Sequence, residues 1–292
     1  GTWEKLKNPV RTRLADSFSE AASVFKSRSF RIFIGIYLSG QCAMDFVSGM
    51  AIYYVDEVLN GYGSGYLIML MGVLMVSQLL GMLVFTPIMT RTSKRTIILI
   101  GAPIRIVSTL GLLAFSYEGA PIIPILALAA GIGIGNAATL TSIFAILADM
   151  ADVDELITST SRPGIVSGMA TFARKISAGL SVWIIGILLS LVGYDAKLAQ
   201  SGIRQALFTQ RGIAMIFIII PVVLVAFLLL FGYIFPITNK EFTVVKQDIA
   251  RRRGEDDSVA TDEEKRILER ATGFAYEDLW KKSNEHRIHN HK

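Results

Sequence analysis

The sequence predicts an all-α, polytopic membrane protein with six transmembrane helices, and three observations carry that prediction. Apolar residues make up 52% of the 292-residue chain and charged ones only 18%, a balance no soluble domain of this length needs to fill its core. Mean hydropathy is +0.50. The apolar residues also gather into six runs, each longer than the ~18–20 residues with which a helix crosses the hydrocarbon core.

Residues 1–29 form a polar, basic arm with Lys5, Lys7, Arg11, Arg13, Lys26 and Arg28. The first run covers 30–55, contains Asp45 and is followed by Asp56 and Glu57. The turn GYGSG leads to the second run, 66–89, and a short basic loop with Arg91, Lys94 and Arg95 follows. The third run, 96–117, contains Pro103 and Arg105, and the fourth covers 121–147. An acidic hinge at 149–163 precedes the fifth run, 164–192. A mixed loop leads to the sixth, 212–235, which Pro236 closes. The 30–236 bundle is followed by a polar tail, 237–292, in which Thr261 and Glu264 have capping-box spacing and Gly273 is a stop signal, predicting a helix over 262–272. Phe274, Tyr276, Leu279 and Trp280 beyond it either dock on the membrane face or a partner, or belong to a loosely ordered tail.

The loops set the topology. The basic arm, the 90–95 loop, the hinge and the tail fall on one side, and the excess of Lys and Arg there marks it as cytoplasmic. The expectation is a multi-pass protein of the cell membrane with both termini inside. The same bias accounts for the net charge of +5 without nucleic acid as a partner. Six helices with both ends inside amount to one half of a twelve-helix transporter, divisible into two three-helix repeats. The absence of an initiator Met points the same way, toward a fragment or half of something larger. Gly164 with Gly168, the heptad-spaced Gly179, Gly186 and Gly193, and Gly131, Gly133 and Gly135 suggest close helix packing. The GIGIGN run lies in an apolar helix after no strand, so a nucleotide fingerprint is not expected. Cys42 is the single cysteine, which rules out an intrachain disulfide. No nucleophile elbow, metal-ligand cluster or mid-membrane carboxylate pair is present, so neither an enzyme nor a metal site is expected. The terminal His286, His289 and His291 are only a weak metal signal.

Ionisable residues inside the runs mark function or structural pairing. At ~1.5 Å of rise per residue, Lys175 lies roughly 16 Å past Gly164, Arg105 about 14 Å past Thr96, and Asp45 roughly 22 Å past Phe30. None can snorkel easily. Asp45 could pair with Arg105 or with Arg174, or either Asp45 or Arg105 could meet a solute. Ser167, Thr171 and Lys175 recur every four residues, one polar stripe suited to a polyhydroxylated or anionic ligand. In the hinge, Asp149 and Asp152 share a face if the fourth helix extends that far, and Arg162 is positioned to pair with them across the turn as an inner gate, with Asp154 and Glu155 beside them.

The pattern A-D-x-x-D-x-x-E (Ala148, Asp149, Asp152, Glu155), followed by Arg162 and a helix with a mid-membrane lysine, resembles the C-terminal half of glycoside–pentoside–hexuronide:cation symporters. This is the melibiose-permease-like branch of the major facilitator superfamily. FPITNKEF (235–242) is similar to the segment after the family's twelfth helix, and TRTSKR (90–95) to the loop between helices eight and nine. The resemblance implies sugar uptake by alternating access, coupled to Na⁺, Li⁺ or H⁺. It implies that Lys175 faces the central cavity with Thr171 one turn before it, and that Asp149, Asp152 and Arg162 belong to the cytoplasmic closure. Leu140 stands near an expected aromatic, Ala170 where a glutamine-like residue is usual, and Arg174 where an apolar one is usual. The added cation favours an acidic sugar or another anionic small solute. The family's cation site lies in helices one to six, so no other cofactor is expected and the partner implied is an N-terminal six-helix half, on the same or a separate chain, in membrane lipid. The alternatives are a lipid or amphiphile carrier, which the Met/Leu-rich second run would suit, and a non-transporting sensor or assembly subunit acting through its tail.

Overall fold

The structure, a computed structural model, describes residues 21–281. The terminal histidines and most of the basic arm lie outside the described residues. The six runs form six helices: α1 (Arg28–Tyr53), α2 (Tyr66–Arg91), α3 (Lys94–Gly111), α4 (Ile122–Thr158), α5 (Pro163–Leu191) and α6 (Leu207–Ile234). All six are long and apolar enough to cross a membrane, and the described residues contain no strand. Two tail helices follow, α7 (Asn239–Arg253) and α8 (Asp262–Thr272).

α4 is the central post. It lies against α2 and α3, while α1 packs on α6 and α5, and α6 closes against α3. Glycine sets how closely α4 is approached. A Cβ on Gly101 would stand 2.2 Å from the Ala138 Cβ, and one on Gly135 would stand 2.7 Å from the Gly101 carbonyl. The GIGIGN run is thus a packing surface, as the spacing predicts. Gly164, Gly168, Gly179 and Gly186 behave differently: nothing lies within 4 Å of their Cβ positions, so the glycine face of α5 is open instead of packed within this bundle. Overpacking a tight helix contact costs about 1–3 kcal/mol. We therefore expect Gly101→Ala to lower the thermal unfolding midpoint of the detergent-solubilised protein clearly, and Gly168→Ala to leave it nearly unchanged.

The helix expected to end at 147 continues to Thr158. Its last turns bury Met150, Val153, Leu156 and Ile157, a helical spacing that hides among the acids in the sequence. Ser159, at φ 56°, then adopts the left-handed conformation and stops the helix, and Pro163 opens α5 at its first turn. The hinge carboxylates Asp149, Asp152, Asp154 and Glu155 therefore stand on a helix, not in a loop.

The tail helix at 262–272 forms as predicted, between the Thr261/Glu264 capping box and Gly273 at φ 82°. α7 was not expected from sequence, although Thr238 and Glu241 make the same capping box and Val245 and Ile249 supply its buried side. The segment beyond α8 is docked, not loose. The Trp280 and Lys281 N–H groups donate to the Leu156 and Ile157 carbonyls at 2.9 and 3.3 Å, which satisfies acceptors left open at the end of α4. Leu268 and Leu279 enter the same core as Phe30, Phe33, Met150 and Val153. Asp248, fully buried, accepts from Tyr276 Oη at 2.9 Å and Arg252 Nε at 2.7 Å. Burial, followed by that carboxylate, raises the Tyr276 phenol above its ordinary range.

Candidate solute and gate sites

At mid-membrane the structure separates the cations that the sequence places together. Arg174 forks onto Asp45, with both N···O distances at 2.7 Å and side chains 24% and 22% exposed. Of the two pairings open to Asp45, this is the one realised. Lys175 lies on the next face of α5, where it is exposed and has no ion pair among the described residues. Ser167 and Thr171 share that exposed stripe, and Ser167 turns its hydroxyl back onto the Pro163 carbonyl at 2.8 Å. This stripe borders the open glycine face, so its surroundings are set by whatever covers α5.

Arg105 is fully buried between α1, α3 and α4. Its Nη1 donates to Asn136 Oδ1 at 3.0 Å and to the Gly40 carbonyl at 3.4 Å. Asn136 Nδ2 in turn donates to Gln78 Oε1 at 2.7 Å. The guanidinium thus braces four helices and takes no part in the Lys175 surface. Gln78 and Asn136 escape a search for charge; their only sequence signal is an amide in an otherwise apolar helix. The central parts of the spans hold three cations (Arg105, Arg174, Lys175) against one carboxylate (Asp45), an excess of two positive charges.

At the hinge, three of the four acids bind three different elements. Asp149 takes Lys94, at the start of α3. Arg162 binds Asp154, with Nε–Oδ2 at 3.0 Å and Nη2–Oδ1 at 2.8 Å and both side chains buried. Glu155 accepts from Arg253 Nε, at the end of α7, at 3.0 Å, which raises that guanidinium above its ordinary value. The expected pairing of Arg162 with Asp149 or Asp152 is therefore corrected. The reason is rotation: at ~100° per residue, Asp149 and Asp152 are turned about 140° and 160° away from Asp154, the acid facing the start of α5. Asp152 is half-buried and has no ion pair within 4 Å among the described residues. Lys94 also sits over the Phe242 ring at 4.8 Å, with Lys246 at 5.0 Å from the same ring, tying α3 to the tail.

At the opposite end, α1 passes into a π-turn, Tyr54–Val58. There Glu57, which follows the first apolar run, is only 2% exposed and accepts from Tyr62 Oη at 2.9 Å. Burial and that carboxylate raise the Tyr62 phenol.

Comparison with known proteins agrees with this architecture. A family profile described as MFS/sugar transport protein matches residues 3–239. An uncharacterized symporter of Synechocystis sp. is 25% identical over 263 residues, covering 86% of this chain and 46% of the relative. A glucuronide carrier protein homolog of Escherichia coli is 27% identical over 219 residues, covering 71% of this chain and 44% of the relative. The chain spans less than half the length of these curated relatives.

Proposed function

Because the chain belongs to the MFS sugar-transport family, we propose that it forms the C-terminal half of a cation-coupled symporter that carries an acidic sugar, such as a glucuronide, by alternating access. The observation that carries this reading is the unpaired Lys175 on the open face of α5, beside an Arg174 already neutralised by Asp45. A carboxylate on a sugar supplies the anion this surface lacks, and a charge-assisted hydrogen bond to an ammonium is roughly twice as strong as a neutral one. Thr171 and Ser167, on the same stripe, offer hydroxyls to the ring. Asp45 acts on the solute indirectly, by neutralising Arg174 so that Lys175 is the cation presented.

The open glycine face is where a second six-helix bundle would pack, on the same or a separate chain, and that bundle would hold the Na⁺, Li⁺ or H⁺ site. In the inner gate, Asp149, Glu155 and Arg162 fasten the end of α4 to α3, the tail and α5, making this half a rigid body. Asp152, without a partner here, is the acid able to reach across to the other half and release it on opening. In this reading the gate side faces the cytoplasm of a cell membrane, and both termini lie there.

The test is uptake of labelled glucuronide by proteoliposomes containing this chain and its complementary half. Saturable uptake driven by an inward sodium, lithium or proton gradient is expected. No gradient-dependent uptake of any sugar would overturn the proposal.

A further inference from the structure

We propose that a groove between α1, α5 and α6 holds an acyl chain of a membrane phospholipid, whose phosphate is bound by Arg31. The groove has a volume of about 570 Å³ and an almost entirely apolar wall, with Leu38 and Cys42 from α1, Phe172 and Ile176 from α5 and Leu224 from α6. Along α5 it runs from Met169 to Leu180, eleven residues or about 16 Å of helix. That is close to half of the ~30 Å hydrocarbon core, a length an acyl chain entering from the side that carries the tail helices can follow to and past the midplane. An apolar trough of this depth, parallel to the spans and open at its side, fits a lipid tail better than a polar solute.

The mouth of the groove supplies the headgroup chemistry. Arg31 lies on the same face of α1 as Leu38 and Cys42, at positions 31, 38 and 42, and one end of the groove is formed by Phe25. Arg31 Nη1 donates to the Phe25 carbonyl at 3.1 Å and to the Lys26 carbonyl at 3.0 Å. This ties the guanidinium to the backbone of Phe25, the residue at that end of the groove. Its Nε and Nη2 have no partner among the described residues, no carboxylate pairs with it, and the side chain is exposed. A planar guanidinium with two free donors is suited to a phosphate. Exposed Lys26 and Arg28 beside it add positive charge that favours an anionic lipid over a zwitterionic one. The Lys175 stripe is separate from the groove wall, so this inference stands whether or not the chain carries a sugar.

Cys42, the single cysteine, reports on the groove. The test titrates the full purified chain with palmitoyl-oleoyl phosphatidylglycerol or the matching phosphatidylcholine, read by native mass spectrometry and by the rate of maleimide alkylation at Cys42. One phosphatidylglycerol should bind about tenfold or more tightly than phosphatidylcholine, and its binding should slow Cys42 alkylation. R31Q, an exposed change that disturbs no packing, should abolish the preference. L38W, with an unchanged melting temperature, should fill the groove and abolish lipid retention. Equal binding of both lipids by the wild type and R31Q, or alkylation indifferent to lipid, would overturn the proposal. So would protection of Cys42 that lipid does not alter but removal of residues 1–20 abolishes, because the occupant would then be the arm.

Discussion

Replacing Lys175 with alanine is expected to weaken handling of an acidic sugar by about ten- to a hundredfold, the loss of one charge-assisted hydrogen bond of roughly 1.5–3 kcal/mol. The loss should fall mainly on KM, because the ammonium binds a charge the solute already carries in its ground state. Lys175→Arg should retain part of the uptake. Arg174→Ala should behave differently, because it removes the partner of Asp45 and leaves a carboxylate stranded at membrane depth; its cost should appear in thermal stability as well as in uptake. Initial-rate uptake across a concentration series separates these outcomes. Unchanged KM for every acidic sugar carried by Lys175→Ala would remove the lysine from the site.

Arg162→Ala should clearly lower the thermal unfolding midpoint, because it removes the guanidinium that forks onto the buried Asp154 carboxylate. Reversing the pair, Arg162→Asp with Asp154→Arg, should recover part of the loss. Combining Arg162→Asp with Asp149→Arg or Asp152→Arg should not, since those acids face other elements. Asp152→Asn should leave the melting temperature close to wild type while altering transport, because it breaks no ion pair among the described residues. Thermal unfolding of the solubilised protein reads the stability of all five variants, and proteoliposome uptake reads the transport change in Asp152→Asn. Rescue through Asp149 in place of Asp154 would mean that the hinge pairs differently from the arrangement described.

The spans were legible because length and hydropathy are local properties, and a helix that must satisfy its own backbone in lipid leaves the chain few alternatives. The Thr261–Gly273 helix was legible for a similar reason: its caps are written in adjacent residues. The end of α4 was not, because Asp and Glu on the last turns look like a loop until the intervening Met150, Val153 and Ile157 are seen to be buried. Partner choice was the least legible. Whether Arg162 meets Asp149, Asp152 or Asp154 depends on a helix rotation that an error of two or three residues in the boundary reverses. Arg105 gave a correct signal of cost but not of role, since the groups that hold it, Gly40, Asn136 and through it Gln78, come from three other helices. Glycine spacing was similarly ambiguous. It marks a packed surface on α4 and an open one on α5, and only the neighbours distinguish the two.

The most direct measurement of the central claim compares labelled glucuronide with a neutral glucoside of the same size in one vesicle preparation containing this chain and its complementary half. The account predicts saturable uptake of the glucuronide in clear preference to the glucoside, with the preference lost in Lys175→Ala. Equal uptake of the two sugars, unaffected by Lys175→Ala, would contradict it.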